Sequence, residues 1–276
     1  MKPKLHTGML RRLGVTLLCI WSLGPIVMII LSSFRPERDI FSPARRFVLE
    51  FTTSNYTQLF VSFPQFVGNM GNSLIVAIGA TALAVITSTL AGFVYSRQRG
   101  KILAASAFFA ILIRLVPPVV VSLPLFPIAD ALHLSDTHIL LIILYSTFWV
   151  SMLSVMMKTF IDQIPTTLDE AARVDGAGTF QIFLKIVLPL SITGMIAGGI
   201  FVFVFAWNEY LFAFIFTSTY AVTGPVVVSN IMDSVAGTQW GVLFAAATLQ
   251  LAPVLALVII FQKYLIAGLM AGSVKG

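Results

Sequence analysis

The segment "DEAARVDGAG", residues 169–178, is short and polar, although it lies between two long apolar stretches of the chain. Thr167 and Glu170 have the spacing of a capping box, which predicts that a helix begins there. Asp169 and Arg173 are four residues apart, so they can pair on one face of that helix. The sequence therefore predicts a compact polar helix where the surrounding chain is apolar.

The residues after this helix predict a turn and then a second helix. Gly176 and Gly178 can end the first helix and reverse the chain. Apolar residues then recur at i, i+3, i+4 and i+7, the pattern of an amphipathic helix: Phe180, Phe183, Leu184 and Val187. The segment is either an ordinary solvated surface loop or a knob that docks to a cytoplasmic partner. Its spacing alone leaves both interpretations open.

The composition of the whole chain indicates a membrane protein. Of 276 residues, 58% are hydrophobic and only 10% are charged, whereas soluble domains have about 25% charged residues. Such a chain cannot cover a soluble surface and must lie largely in lipid. The sequence has no Cys, His, Asp and Glu set with metal-ligand spacing, no basic cluster typical of nucleic-acid binding, and no phosphate-binding Gly-x-x-x-x-Gly-Lys-Ser/Thr loop.

Six segments are long and apolar enough to span a bilayer, which takes about 20 residues. They are residues 13–31, 73–95, 102–129, 139–157, 190–216 and 242–262. The chain is therefore predicted to be an all-α polytopic membrane protein, with residues 1–276 forming one transmembrane domain. The polar segment falls in the loop 162–189, between the fourth and fifth spans.

The distribution of Lys and Arg predicts the orientation of the chain. With the N-terminus inside, the inner segments contain twelve basic residues and the outer segments four. Positive residues favour the cytoplasmic side, so both termini and the loop 162–189 are predicted to be cytoplasmic.

The residues of this loop resemble a known family. The stretch "EAARVDGAGTFQIFLKIVLPL", residues 170–190, resembles the EAA loop of ABC importer permeases: Glu-Ala-Ala, two residues, Asp-Gly-Ala, a spacer and Leu-Pro. Thr193 stands where the family usually has a proline, which leaves open whether the chain is kinked as it enters the fifth span. Three further stretches resemble carbohydrate-type permeases related to the smaller maltose permease subunit: residues 72–97, "FAWNEYLFAF" at 205–214 and "AGLMAGSVKG" at 267–276.

The resemblance implies a heteromeric importer in the bacterial inner membrane. Its other members would be a second permease, two ATPase subunits that hold ATP and Mg²⁺, and an external solute-binding protein. This chain would be non-catalytic and without a cofactor of its own. Its polar helix would be the coupling helix, which docks in a cleft of an ATPase and carries motion to the fourth and fifth spans. The docking residues implied are Glu170, Ala171, Ala172, Arg173, Asp175, Gly176 and Ala177.

Arg114 and Glu209 lie inside apolar segments, where a charge costs about 2.5–3.5 kcal/mol on insertion scales. Both are therefore predicted to face the protein interior. Pro117 removes a backbone donor and is predicted to break the third helix and free a carbonyl for a transport path. One interpretation is a solute path lined by Arg114, Asn208, Glu209, Trp207 and Tyr210. The other is an interior ion pair between Arg114 and Glu209 or contacts with the second permease.

The predicted function is that of a permease subunit that admits a sugar, oligosaccharide, polyol or sugar phosphate. One alternative is an ABC permease for another small polar solute, such as a peptide or amino acid. A second is an ion-coupled secondary transporter, which would not need a docking helix. A membrane-embedded enzyme would need a catalytic set of side chains, and the sequence predicts none.

Overall fold

The computed structural model describes residues 5–42, 50–233 and 237–271, and all regular structure in these ranges is helical. The prediction of an all-α fold is therefore confirmed. The first seven helices are α1 (Leu5–Ser33), α2 (Glu37–Ile40), α3 (Ser54–Ser62), α4 (Phe66–Arg97), α5 (Lys101–Ile113), α6 (Pro118–Ala131) and α7 (His138–Ile161). They are followed by α8 (Thr166–Val174), α9 (Thr179–Ile182), a π-helical turn (Phe183–Val187), α10 (Leu188–Leu190), α11 (Ile192–Trp207), α12 (Leu211–Phe216), α13 (Gly224–Met232) and α14 (Trp240–Ala271).

Four helices in the described ranges, α1, α4, α7 and α14, are long and apolar enough to cross a membrane, and two bent helix pairs raise this number to six. One pair is α5 with α6, and the other joins residues 179–190 to α11. Five of the predicted segments lie within these helices or the α5–α6 pair, whereas the fifth, 190–216, begins at the end of α10 and extends beyond α11.

The third predicted span is broken, as its prolines indicate. The chain bends by 96° between α5 and α6, because Pro117 and Pro118 have no backbone N–H with which to continue the helix. One of the carbonyls of the preceding turn is bonded locally, and the freeing of the others stays a prediction. In a continuous helix the carbonyl of Ile113 would accept a hydrogen bond from residue 117, but Pro117 has no N–H. It accepts instead from the N–H of Val116, three residues on, at 3.1 Å. The break is thus closed by a turn of 3₁₀ type.

The fifth predicted span, 190–216, is not one continuous helix. It bends by 72° at Ser191, although Thr193 replaces the proline usual in the resembled family. It is interrupted again between α11 and α12, where the Glu209 carboxylate accepts hydrogen bonds from the N–H groups of Phe212 (3.0 Å) and Ala213 (3.4 Å). A carboxylate at the start of a helix satisfies N–H groups that have no helical partner, so Glu209 begins a new helix at this position.

Close packing in the membrane-spanning part depends on small residues. A side chain at Gly92 of α4 would place its Cβ 2.7 Å from the Cβ of Met157 and 2.9 Å from the backbone nitrogen of Lys158, both in α7. Only glycine leaves room for the two backbones to approach this closely. The sequence pattern of α4 thereby fixes its position against α7.

The chain divides into two compact units, so that the single domain 1–276 stays a prediction. One unit comprises Met1–Val67 and Val227–Ala252, and the other comprises Gly68–Val226 and Pro253–Gly276. In the first unit, the Glu37 carboxylate accepts hydrogen bonds from the N–H groups of Trp240 and Gly241, at the start of α14. In the second, the core contains Tyr145, Trp207 and Phe212 among its buried side chains.

In the second unit, Asp136 holds a loop in place from the turn before α7. Its carboxylate accepts five hydrogen bonds of 2.9–3.2 Å, from the N–H groups of Ser218, Thr219, Tyr220 and Ala221 and the hydroxyl of Ser218. Burial acts to raise the pKa of Asp136, but the backbone hydrogen bonds outweigh it and hold the pKa below the usual value of an aspartate. The loop therefore depends on an ionised carboxylate.

Candidate functional site

The polar segment forms a short helix, α8, that ends as the sequence predicts. Gly176 has φ +84°, in the left-handed region that favours glycine. The N–H of Gly176 donates to the carbonyl of Arg173 at 3.0 Å, and the N–H of Ala177 donates to that of Ala172 at 2.9 Å. These two bonds form a Schellman motif. The prediction that Gly176 ends the helix and turns the chain is confirmed.

The predicted start of α8 is wrong by one residue. The helix begins at Thr166 after Pro165, which acts as the N-cap without a side-chain hydrogen bond. Thr167 therefore lies within the first turn, where it cannot form the predicted capping box with Glu170. A proline suits this position, since the donors of the first turn have no helical partners.

The predicted pair between Asp169 and Arg173 is not formed. Asp169 points inwards, and its Oδ2 atom lies 2.7 Å from Nε of Arg97, the last residue of α4. Both side chains are buried, with 9% of Arg97 and 7% of Asp169 exposed. A buried, charge-assisted bond of this geometry is preferred to an exposed pair along one helix, which contributes only about 0.3–0.5 kcal/mol.

The inner face of α8 packs on a hydrophobic cluster of its own chain, here called the base cluster. Ala172 and Ala177 contact this cluster, although the sequence assigned both to docking. Their small side chains bring α8 close to the base cluster, and because both residues are only partly buried, their assignment to docking stays a prediction. The buried members of the base cluster are Phe93, Ile161, Ile164, Ile182, Phe183 and Val187.

The second predicted amphipathic helix is present but rotated. It consists of α9, the π-helical turn and α10, and buries Ile182, Phe183 and Val187. Phe180, predicted to lie on the apolar face, is instead 69% exposed, and Leu184 is 42% exposed. The π-helical turn inserts an extra residue into the helical repeat, which the i, i+3, i+4 pattern does not anticipate.

The outer face of α8 combines charged and apolar side chains. The predicted docking residues Glu170, Arg173 and Asp175 are exposed, as are Ala171 and Gly176. Val174 is 89% exposed, and sequence reasoning missed both it and Phe180. The available signal for Val174 was its place beside Arg173 and four residues after Glu170, on the face that also carries these charges. We call Glu170, Arg173, Val174, Asp175 and Phe180 the exposed ridge.

Arg114 does not pair with Glu209 in the structure. Its guanidinium lies over the rings of Phe148 and Trp149 at 4.9 and 4.4 Å from their centroids, an arrangement that stabilises a desolvated cation. The proposed interior ion pair with Glu209 is therefore wrong for this conformation.

Arg114 also lines a cavity of about 490 Å³ among α4, α5, α6, α7 and α12. The wall is largely apolar and includes the polar groups of Tyr95, Thr147 and Ser151. Arg114 is the charged member of this wall among the residues that the structure describes. The other predicted path residues do not line the cavity with it.

Those other residues are used at the ends of helices. Asn208 donates its amide to the carbonyl of Val204 at 2.7 Å, and Glu209 accepts from the N–H groups at the start of α12. Trp207 is only 2% exposed and stacks on a neighbouring phenylalanine ring of the same helix, so it offers no face to a solute in this conformation. Tyr210 is half-buried and stacks on Phe214 at 5.2 Å.

Within residues 5–42, 50–233 and 237–271, no group of three or more His, Cys, Asp or Glu side chains is placed to hold a metal ion. The most distinctive geometry in the described residues is that of α8. A short helix is held from within by a buried ion pair and an apolar cluster, while it presents charges and apolar side chains outwards.

Comparison with known proteins identifies the family. Residues 84–270 match the family described as the binding-protein-dependent transport system inner membrane component. The chain is 32% identical to the sulfoquinovosyl glycerol transport system permease protein SmoH of Agrobacterium fabrum, over 97% of this chain and 94% of that protein. It is 33% identical to the trehalose transport system permease protein SugB of Mycobacterium tuberculosis, over 95% of each chain.

The fold is also that of a solved transporter. A chain from the crystal structure of a bacterial ABC transporter involved in import of the acidic polysaccharide alginate matches with a TM-score of 0.78, at 18% identity, over 96% of this chain and 98% of that one. The matched family spans more than half of the chain and consists of inner-membrane components of transport systems. The chain therefore belongs to the family of binding-protein-dependent transport system inner membrane components.

Proposed function

We propose that this chain is a permease subunit of an ATP-driven importer that admits a sugar, an oligosaccharide or a related polyhydroxylated solute to the cytoplasm. The relatives at 32% and 33% identity are named for sulfoquinovosyl glycerol and trehalose transport, and both solutes contain a sugar. A second permease, two ATPase subunits and an external solute-binding protein would complete the complex. ATP and Mg²⁺ would be held by the ATPase subunits.

The observation that carries this proposal is the construction of α8. Its inner face is fixed by Asp169 and Ala172, so its outer face is presented as a rigid surface. On that face, Val174 is 89% exposed beside charged residues. The combination of an apolar anchor and a charged rim is typical of a surface that binds another protein. We infer that the exposed ridge is the surface that docks to an ATPase subunit.

The excess of Lys and Arg in the predicted inner segments supports a cytoplasmic position for α8 and for both chain termini. An ATPase subunit supplied with cytoplasmic ATP could reach α8 only on that side. Movement of the ATPase pair would displace α8 as a unit. Because α8 is linked by short connections to α7 and to the bent segment that leads into α11, the displacement would reach both membrane helices.

The cavity beside Arg114 is our candidate for part of the solute path. Stacking on Phe148 and Trp149 holds the guanidinium while leaving its N–H groups directed at no carboxylate in the described chain. A guanidinium can donate to several hydroxyl groups of a sugar or to a carboxylate or phosphate on it. The apolar part of the wall would contact the C–H faces of a sugar ring.

A charge reversal on the exposed ridge tests the proposed docking. We expect Glu170→Lys to leave the chain in the membrane and to reduce co-purification of the ATPase subunits by about tenfold or more, since a reversed charge sets like charges opposite each other across the interface, which costs several kcal/mol. Gln98→Lys is the control for the introduction of a lysine. Gln98 is also exposed, but it follows the last residue of α4 and is not part of the exposed ridge.

The same variants are then compared for uptake of labelled trehalose and other sugars into vesicles that contain the binding protein and either ATP or an ion gradient. Uptake that depends on ATP and is lost in Glu170→Lys supports the proposal. Normal co-purification and normal uptake in Glu170→Lys contradict the docking role, and uptake driven by an ion gradient alone contradicts the ATP-driven function.

A further inference from the structure

The guanidinium of Arg97 joins the ends of three helices. Its Nε atom donates to Asp169 of α8 at 2.7 Å. Its terminal nitrogens donate to the carbonyls of Ile161, the last residue of α7, at 3.3 Å, and of Ile164, in the turn that follows, at 3.0 Å. The carbonyl of Ile161 also accepts from the N–H of Ile164 at 3.0 Å, so Arg97 adds a second donor at the end of α7. A cation at the C-terminal end of a helix interacts favourably with the helix dipole.

The Arg97–Asp169 contact holds its two side chains in one relative orientation. Both partners are at least nine-tenths buried, so salt and water screen the pair little. A planar guanidinium that donates in several directions has one orientation in which all its bonds are made. The nearby pair of Lys158 and Asp162 differs in this respect, because both its members are 41% exposed, and such pairs hold their geometry weakly.

Stability alone does not account for this pair. The Oδ1 atom of Asp169 is buried, and in the part of the chain that the structure describes it has no hydrogen-bond partner. A buried carboxylate with one unsatisfied oxygen is unfavourable compared with apolar residues of similar size. The pair is thus weak evidence for stability, and its direct structural consequence is the connection that it makes between α8 and α4.

We propose that the Arg97–Asp169 pair makes α4 move together with α8, so that a displacement of α8 reaches a third membrane helix besides α7 and α11. This inference rests on the proposed coupling function. The chain connects α8 to α7 and α11 through short segments, whereas α4 is far away in the sequence. α4 also contacts α7, at Gly92 beside Met157 and through the hydroxyl of Ser96, which donates to Asp162 at 2.7 Å. The Arg97–Asp169 pair is a direct polar contact between α4 and α8 themselves. Arg97 and Asp169 are thus positioning residues.

The test measures whether α4 and α8 move as one body in the assembled transporter. Spin labels are placed at Gln98→Cys and Thr166→Cys, both at exposed positions, after Cys19, the only cysteine of the chain, is changed to serine. Label-to-label distances are measured by pulsed electron paramagnetic resonance in the complex with its ATPase subunits, with and without a non-hydrolysable ATP analogue. The same labels are introduced with Asp169→Asn, with Asp169→Glu and with the control Lys158→Gln.

We expect one distance distribution in the wild-type background whether or not the analogue is bound. Asp169→Asn should give a distribution that shifts and broadens with the analogue, while Asp169→Glu and Lys158→Gln keep the wild-type behaviour. A wild-type distance that changes with the analogue overturns the proposal. A distance that stays fixed in Asp169→Asn also overturns the proposal. Loss of the ATPase subunits from Asp169→Asn overturns it too, because the pair would then be needed for folding or docking. Failure of the ATPase subunits to bind the wild-type chain is a separate result, which contradicts the proposed function itself.

Discussion

Gly176 is the residue on which the end of α8 depends. Its φ of +84° is unfavourable for any residue with a Cβ, although a Cβ there would contact nothing within 4 Å. The cost of a substitution is therefore conformational and not steric. We expect Gly176→Ala to destabilise the turn by about 1–2 kcal/mol and Gly176→Asn to destabilise it less, because asparagine tolerates the left-handed region.

Hydrogen exchange of residues 166–178 measures this difference. Faster exchange in Gly176→Ala than in Gly176→Asn is the expected order. Equal exchange in the two variants would show that the turn does not depend on the backbone conformation of Gly176.

Asp136 is the residue whose charge the loop at residues 218–221 requires. Because hydrogen bonds lower its pKa in the folded protein, its contribution to stability is complete above the ordinary aspartate pKa of about 3.9 and is lost as the pH falls through the lower folded value. We expect Asp136→Asn to lower the melting temperature of the purified chain in detergent at neutral pH. The difference from the wild type should persist to about pH 4 and shrink at lower pH.

Asp130→Asn is the control for this measurement, because Asp130 is exposed and close in sequence. A difference between wild type and Asp136→Asn that is equally large at every pH would contradict the assigned role of the carboxylate.

Part of the candidate site could be predicted from the types and spacing of the residues in the sequence. The spacing in residues 169–178 was sufficient for a helix that ends at Gly176, since both features are local. The partner of Asp169 could not be predicted in this way, because Arg97 lies 72 residues away and is brought near only by the packing of α4 on α7. The helix-capping role of Glu209 was missed for a related reason: an apolar segment with one carboxylate does not reveal whether the carboxylate interrupts it.

At the level of helices, the contact between α4 and α7 requires a residue without a side chain at position 92, which is glycine. We expect Gly92→Ala to destabilise the protein by about 1–3 kcal/mol, because the new Cβ would lie against the backbone of α7. Gly199→Ala is the matched control, since its Cβ would make ordinary contacts of 3.4 and 3.5 Å with Val85 and Thr81. Thermal unfolding in detergent compares the two. A loss in Gly199→Ala as large as that in Gly92→Ala would contradict this account of the packing.

The elements also show where hydrophobic periodicity stops being informative. Length and apolar character located the long helices, because a bilayer imposes both on any spanning segment. The two sharp bends differ in how they are encoded. The bend between α5 and α6 follows from consecutive prolines, whereas the bend at Ser191 occurs without the usual proline. Ser191 is buried and its hydroxyl donates to the carbonyl of Val187 at 2.7 Å, an interaction that often bends helices.

At the level of the whole molecule, we propose that the chain transmits a displacement of α8 to its membrane helices. In this proposal the exposed ridge would receive the force, the base cluster and the Arg97–Asp169 pair would keep α8 rigid, and the membrane helices would carry the displacement. This division explains why a chain with so few charges concentrates several of them in one short segment. It also explains why the most exposed apolar residue of that segment, Val174, is not covered by the chain itself.

The most direct test of this proposal is photo-cross-linking in native membrane vesicles that contain the assembled complex. Val174 is replaced by a photoreactive phenylalanine analogue. The exposed Trp21 of α1, replaced in the same way, reports on background reaction. We expect a covalent adduct between position 174 and an ATPase subunit, and none between position 21 and that subunit. Reaction of position 174 only with lipid or with the external binding protein would contradict it.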